Sequence, residues 1–216
     1  MAERAGKSQK DNQIDMLHGS LWDKIVLFAL PLAASTILQQ LFNSADVAVV
    51  GRFDSSQAMA AVGSNGAVIN VLVNLFVGVS VGANMLIANY IGQGEREKVR
   101  QAVHTSVLLA LISGLFLAAA GLVLSRPVLR MLSTPPDVLE LAVTYLEIYF
   151  MGMPFIMLYN FGSAVLRSKG DSRRPFWFLV VGGVVNVILN LVLVIVFHLG
   201  VTGVAIATVI SNVISA

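Results

Sequence analysis

The sequence predicts an all-α membrane protein, a bundle of about six transmembrane helices with a cytoplasmic amino terminus. Apolar residues make up 56% of the 216 residues and charged residues only 12%, about half of what a soluble domain carries. Five long runs contain no charge, and a helix crosses a bilayer with about 20 apolar residues. Most of the basic residues, finally, lie in the segments that the predicted spans place on one side of the membrane. The uncharged runs are 25–45, 55–94, 101–125, 148–166 and 175–216.

This composition excludes several classes of protein. A secreted globule, a DNA-binding domain and an ordinary soluble enzyme all need a more highly charged surface. The formal net charge of +2 is explained by membrane topology, so we expect no nucleic-acid partner. The chain has no cysteine, which removes disulfides, thiolate nucleophiles and cysteine metal sites. We therefore expect a multi-pass protein of the cell membrane, with the lipid bilayer as its surroundings.

The first two spans differ in length. The first runs from about Lys24 to Gly51 and contains Pro31, which lacks an amide donor and is expected to kink the helix. The second extends from about Met59 to Ile91, which is long for one crossing. We therefore expect a break at Gly63–Gly66.

The remaining spans follow from the positions of charges, prolines and glycines. A third span is expected from Ala102 to Leu124, with an outer loop from Pro127 to Asp137. The fourth covers about Leu139 to Leu166 and is interrupted at Gly152 and Pro154. Residues 175–216 hold two more spans, divided at His198–Gly203, and the sixth is incomplete because about 13 residues span only about 20 Å.

The distribution of basic residues sets the orientation. Residues 1–23 are polar, lack an apolar segment and are expected to form a cytoplasmic tail, ahead of a bundle at residues 24–216. Eleven of the fourteen Lys and Arg residues lie at the start of the chain and in the connectors after the second and fourth spans. Only three lie on the opposite side. The positive-inside rule therefore places the amino terminus in the cytoplasm.

Asp46 is the acid that topology explains least well. It lies about five residues inside the outer end of the first span, where an unpaired carboxylate is costly. Gln39, Asn43 and Asp46 share one helix face, which favours a protein or cavity neighbour over an acid that reaches water. Glu147, close to the end of the fourth span, is more simply explained by snorkelling to the outer surface.

Neutral polar residues in three other spans recur at helical spacing. Asn186 and Asn190 share a face of the fifth span, and Thr208 lies on the sixth. Together with Asp46 they offer the oxygen ligands and the one neutralisable charge that a desolvated H⁺ or Na⁺ site needs. The row Asn70, Asn74, Gly78 and Gly82 on the second span is instead interpreted as a helix-packing surface.

Conventional catalytic patterns are missing from the sequence. The three histidines are isolated, and no HExxH or Walker A pattern occurs. We therefore expect neither an enzyme nor a bound cofactor or metal.

Four motifs in order resemble the multidrug and toxic compound extrusion (MATE) transporters, over about 200 residues. Pro31 and Asp46 are 15 residues apart, and Ile91–Gly94 leads into a charged connector. The other two motifs are Lys169–Pro175 and Gly200–Ser211. The similarity is to the amino-terminal lobe of that family.

The resemblance implies a secondary antiporter of two six-helix lobes that exports cationic or amphipathic drugs in exchange for H⁺ or Na⁺. It implies that Asp46 is the ion-linked acid and that Asn186, Asn190 and Thr208 are its partners. Many relatives have aspartate where this chain has Asn190, which weakens the case for tight Na⁺ binding. The candidate substrate contacts, which would face a central cavity in a family-like arrangement, are Gln39, Phe42 and Asn160.

Family members have twelve spans, whereas this sequence predicts one lobe. We expect a fragment that pairs with a second six-helix lobe, its missing carboxyl-terminal half. A lipid-linked oligosaccharide flippase is an alternative, although such substrates need intramembrane basic residues that this sequence lacks. A truncated, non-transporting scaffold is another. The substrate, the coupling ion and the oligomeric state are left open by the sequence.

Overall fold

The computed structural model describes residues 21–216, apart from the side chains of residues 21–25 and 27, and every regular element in this part is helical. The predicted all-α fold class is therefore confirmed. The predicted tail lies outside the described residues except for its last three, which already belong to the first helix. The helices are α1 (Leu21–Phe53), α2 (Ser56–Gly92), α3 (Arg96–Met131), α4 (Pro136–Met151), α5 (Met153–Ser168), α6 (Arg173–Leu191), a π-helical segment (Val192–Val196) and α7 (Gly200–Ser215).

Three helical units in this part are long and apolar enough to cross a membrane: α2, α3, and α6 together with the π segment. A fourth is obtained when α4 and α5 are counted as one span, bent by 51° at Gly152. This break lies where the sequence predicted one, because Gly152 is followed by Pro154, which has no amide hydrogen to continue the helical ladder. Helices α1 and α7 correspond to the first and the sixth of the six spans predicted from the sequence.

Two predicted interruptions are wrong. Helix α2 runs through Gly63–Gly66 without a break, and between these glycines Asn65 is fully buried, its Nδ2 donating to the Ala142 carbonyl of α4 at 2.9 Å. Helix α3 continues through Pro127 to Met131, which buries Leu129 in the core. In both cases tertiary packing outweighs the local signal of glycine or proline.

Pro31 also lies inside a continuous helix. Helix α1 extends on both sides of it, and the Ser35 hydroxyl donates to the Pro31 carbonyl at 2.7 Å. The helix is therefore continuous at Pro31, and the kink expected there stays a prediction.

The main hydrophobic core lies among α2, α3, α4 and α5, with buried residues such as Leu117, Leu146 and Phe150. Helix α3 approaches the bent pair closely at two glycines. A Cβ atom built on Gly121 would overlap the Phe150 ring, and one built on Gly114 would lie 2.5 Å from Pro154 Cα. These contacts fix the bent pair against α3.

The other half of the lobe is built on α6, which packs between α1 and α7. The Phe42 ring of α1 sits directly over Gly183, and Ser215 of α7 lies against Gly182. The absence of side chains at these two positions lets both neighbours approach the α6 backbone. The polar residues one and two turns further along α6 are thereby placed beside both helices.

Candidate functional site

The buried carboxylate of Asp46 is the centre of the site. Its residue is 4% exposed, and its two oxygens accept hydrogen bonds from two different helices. Asn190 Nδ2 of α6 lies 2.5 Å from Oδ1, and Thr208 Oγ1 of α7 lies 3.4 Å from Oδ2. Asp46 is thus held between α1, α6 and α7.

Asn186 links the two donors of Asp46 to each other. Its Nδ2 donates to Thr208 Oγ1 at 3.3 Å, and its Oδ1 accepts from Asn190 Nδ2 at 3.2 Å. Thr208 Oγ1 also lies 2.9 Å from the Val204 carbonyl, one turn earlier on α7. The structure therefore brings together all four residues that the sequence singled out for ion coupling, while their role in coupling stays a prediction.

The local sequence explains how this cluster forms. Asn186 and Asn190 are four residues apart, so their side chains lie one above the other on α6. Both are buried, at 4% and 0% exposure. Because Gly182 and Gly183 precede them on the same helix, the α6 backbone lies close enough to α1 and α7 for short side chains to meet.

Among the described side chains, only neutral groups bond to the Asp46 carboxylate. None of the ion pairs formed by the described side chains involves Asp46. Asn190 Oδ1 is buried and has no hydrogen-bond partner. The site therefore combines one carboxylate with a free acceptor oxygen, and both favour a proton or another cation.

Two tyrosines of α4, Tyr145 and Tyr149, also lie in this part of the lobe, and neither was predicted from the sequence as a site residue. Tyr145 is 5% exposed and lies near Thr208. The two tyrosine rings stack with centroids 6.1 Å apart. Their spacing of four residues in an apolar helix was the available signal, since a buried phenol hydroxyl usually finds a polar partner.

Comparison with known proteins identifies the family. The family model described as MatE matches residues 31–192, a range that contains Asp46, Asn186 and Asn190. This chain belongs to the MatE family. The expected resemblance to MATE transporters is therefore confirmed.

Individual MatE relatives are matched along most of this chain. It is 33% identical over 198 residues to the probable multidrug resistance protein YoeA of Bacillus subtilis, covering 90% of this chain and 43% of that one. It is 32% identical over 201 residues to the probable multidrug resistance protein NorM of Thermotoga maritima, covering 89% and 42%. The chain thus spans less than half the length of these relatives.

Solved MATE structures share the fold. A crystal structure of MATE in the bent conformation superposes with a TM-score of 0.86 at 28% identity, over 91% of this chain and 44% of that one. An outward-facing MATE family transporter gives a TM-score of 0.83 at 29% identity, over 89% and 42%. The arrangement of the described helices is therefore that of one MATE lobe.

The three expected substrate contacts of this MatE lobe lie on two helices, α1 and α5. Gln39 is exposed on α1, and the Phe42 ring packs on Gly183. Asn160 is half-buried on α5 and donates to the Ile156 carbonyl of its own helix at 2.8 Å. None of them hydrogen-bonds to the cluster, and their contact with substrate stays a prediction.

The polar face predicted on α1 is divided. Asp46 is buried, whereas Gln39 and Asn43 are exposed, and Asn43 bonds only to Gln40 of the same helix at 3.4 Å.

The described residues also contain no group of three His, Asp or Glu side chains that could hold a metal ion. The chemistry of the site therefore rests on Asp46 and its neutral partners.

Proposed function

We propose that this chain is the amino-terminal lobe of a membrane antiporter that exports cationic or amphipathic compounds in exchange for protons, with Asp46 as the proton carrier. The observation that carries the proposal is the burial of Asp46 among neutral donors from α6 and α7. A structural acid at this depth would be expected to have a cationic partner. The names of the relatives support drug export over lipid-linked oligosaccharide flipping.

The hydrogen-bond pattern explains how protonation can change the lobe. In the arrangement described, amide and hydroxyl donors from Asn190 and Thr208 point at the Asp46 oxygens, as an ionised carboxylate requires. A protonated Asp46 instead carries a donor of its own and needs an acceptor. Rotation of the Asn190 amide would offer its unpartnered Oδ1. Because these residues lie on different helices, loading a proton changes the contacts that hold α1 to α6 and α7.

The same geometry favours H⁺ over Na⁺. Sodium needs several oxygen ligands at once, and the Asn190 amide nitrogen that now bonds to Asp46 would have to turn away. Only one carboxylate is present to offset the charge of the ion. A proton needs one carboxylate oxygen and one acceptor, which the cluster already contains.

The test is drug transport by the complete protein in proteoliposomes, with a pH gradient or a Na⁺ gradient imposed separately. We expect export to follow the pH gradient, and Asp46→Asn to abolish it while membrane insertion stays normal. The matched control is Asp137→Asn, which makes the same chemical change at an exposed acid in the first turn of α4.

Normal export by Asp46→Asn would refute Asp46 as the carrier. Export driven by Na⁺ alone would refute proton coupling but leave drug export intact. Translocation of a lipid-linked sugar, with no drug export, would favour the flippase alternative.

A further inference from the structure

Asp54 is an exposed acid whose carboxylate lies against the start of another helix. The residue directly follows α1. A Cβ atom built on Gly200, the first residue of α7, would overlap Asp54 Oδ2 and lie 3.0 Å from Asp54 Cγ. The carboxylate therefore occupies the place that a side chain at Gly200 would fill. This contact is separate from the hydrogen bonds of the Asp46 cluster.

The turn that carries Asp54 is short and held at both ends. The Asp54 amide donates to the Val50 carbonyl of α1 at 2.9 Å, and Val50 is fully buried. The next residue, Ser55, begins α2, and its hydroxyl accepts from the Ala58 amide at 3.1 Å. Because two helices fix the backbone of Asp54, its carboxylate can leave Gly200 only by rotation of the side chain.

Gly200 is also fixed, in the turn between the π-helical segment and α7. Its φ is +50° and that of His198 is +53°, both in the left-handed region. Between them, the Leu199 amide donates to the Leu193 carbonyl at 3.0 Å, and the Leu199 carbonyl accepts from the Gly203 amide at 3.2 Å. Position 200 requires glycine because of its backbone conformation and because of the carboxylate in front of it.

Helix α1 contacts both arms and the turn of the hairpin that α6, the π-helical segment and α7 form, which we call the α6–α7 hairpin. Asp46 bonds to Asn190 on the first arm and to Thr208 on the second. Asp54 contacts the turn itself, at Gly200. Two acids of one helix therefore hold the same hairpin at two levels.

The two contacts between α1 and α7 are in register. Asp54 follows Asp46 by eight residues, and Gly200 precedes Thr208 by eight residues. At helical rise, both separations are about 12 Å. The two helices run in opposite directions, so both contacts form at once. Since α7 is one continuous helix from Gly200 to Ser215, a displacement of its first residue also moves Thr208.

We infer that Asp54 is a positioning residue for the Asp46 site: by holding the turn of the α6–α7 hairpin against the end of α1, it sets the distance between Thr208 and Asp46. The Thr208 hydroxyl lies 3.4 Å from Asp46 Oδ2, whereas Asn190 is much closer to Oδ1. The long bond to Thr208 is the one that a small displacement of α7 breaks. The inference rests on the proposed function for the role of Asp46.

The first test is a double-mutant cycle on the melting temperature of the purified complete protein. Sites more than about 10 Å apart normally contribute additively. We expect Asp54→Ala combined with Thr208→Val to lower the melting temperature by less than the sum of the two single losses, because either change already loosens α7 from α1. An additive result would overturn the inference. The control cycle, Asp137→Ala with Thr208→Val, removes an exposed acid from the first turn of α4 and is expected to be additive.

The second test measures a quantity that a purely structural acid would not change, the proton concentration for half-maximal drug export in proteoliposomes. Thr208 donates to the ionised Asp46 carboxylate, so loss of this contact alters the balance between its ionised and protonated forms. We expect Asp54→Ala to change this proton concentration by about two- to fivefold, the range that corresponds to a charge at a helix end. Asp137→Ala is expected to leave it unchanged, and Asp54→Ala to add nothing in a Thr208→Val protein. An unchanged value in Asp54→Ala would overturn the inference.

The third test keeps Asp54 and changes its neighbour. Gly200→Ala puts a methyl group where the carboxylate lies. Gly94→Ala is the matched control, because Gly94 also has a left-handed φ, +74°, but has open space around it. We expect Gly200→Ala to change the proton concentration for half-maximal export as Asp54→Ala does, and Gly94→Ala to keep the unsubstituted value. Equal values for the two glycine variants would overturn the inference.

The stability cycle also separates this inference from the proposed function, because it needs no transport. Normal export by Asp46→Asn together with a non-additive cycle would refute the carrier and leave Asp54 as the residue that positions the hairpin. Loss of export by Asp46→Asn together with an additive cycle would refute the role of Asp54 and leave the carrier supported.

Discussion

The approach of α3 to α5 at Gly114 offers a quantitative test of the packing. In Gly114→Ala, the new Cβ would lie 2.5 Å from Pro154 Cα, 2.9 Å from Pro154 N and 3.1 Å from the Met153 carbonyl oxygen. All three atoms belong to the backbone, so no side chain can rotate away. Ordinary contact begins at about 3.4 Å, so the two helices must separate by roughly 0.9 Å.

The expected cost follows from this displacement. Overpacking of a well-packed interior costs about 1–3 kcal/mol. Alanine also gains up to about 1 kcal/mol over glycine in a helix, which offsets part of that cost. Gly162→Ala on α5 isolates the second contribution, because a Cβ there meets nothing within 4 Å. We therefore expect Gly114→Ala to be less stable than Gly162→Ala by about 1–3 kcal/mol.

The assay is thermal denaturation of the purified complete protein, followed as the fraction that remains monodisperse on size exclusion. The two variants make the same chemical change on helices of the same lobe. Any effect of detergent on the measured stability is therefore expected to be the same for both. Stabilities within about 0.5 kcal/mol of each other would refute the reasoning, because the close approach would then impose no packing constraint.

Two further predictions concern the Asp46 cluster. Thr208→Val removes the hydroxyl that accepts a hydrogen bond from Asn186 and leaves that buried amide unpaired. We therefore expect the export rate in a proteoliposome assay to fall about 5- to 150-fold, while Thr208→Ser keeps most of the rate. Equal export rates of the two variants would contradict this. Asn190→Asp places a second carboxylate against Asp46, where two carboxylates do not ionise together. Because one of the two carboxyl groups then keeps its proton, we expect the pair still to exchange one proton per substrate, seen as an unchanged reversal potential. A shift of the reversal potential to two protons per substrate would contradict this.

The helical class and its main breaks were accessible from the sequence. The bend at Gly152 was predicted because glycine and proline weaken a helix locally, and there the structure agrees. The same rule failed at Gly63–Gly66 and at Pro127. In those places the helix is supported by buried groups far away in sequence, such as Asn65 bonded to Ala142. Local propensity carries no information about such contacts.

The candidate site was predictable in part. Asp46 was found because a carboxylate in an apolar span is unusual, and the partners were found from helical spacing and from resemblance. Tyr145 was missed, although its spacing of four residues from Tyr149 in an apolar helix was a signal, because that spacing does not tell which polar group the hydroxyl meets. Its place beside Thr208 depends on the packing of α4 against α7.

The sequence by itself determined which segments are apolar helices and which residues share a helix face, and it predicts which side of the membrane they start from. It contained two rows of amides with the same spacing of four residues, Asn70 with Asn74 and Asn186 with Asn190. Only the tertiary structure decided that the second pair meets Asp46 while the first is exposed on α2. Helical periodicity fixes which side chains point the same way, but the neighbour they meet is set by the rotation and packing of whole helices.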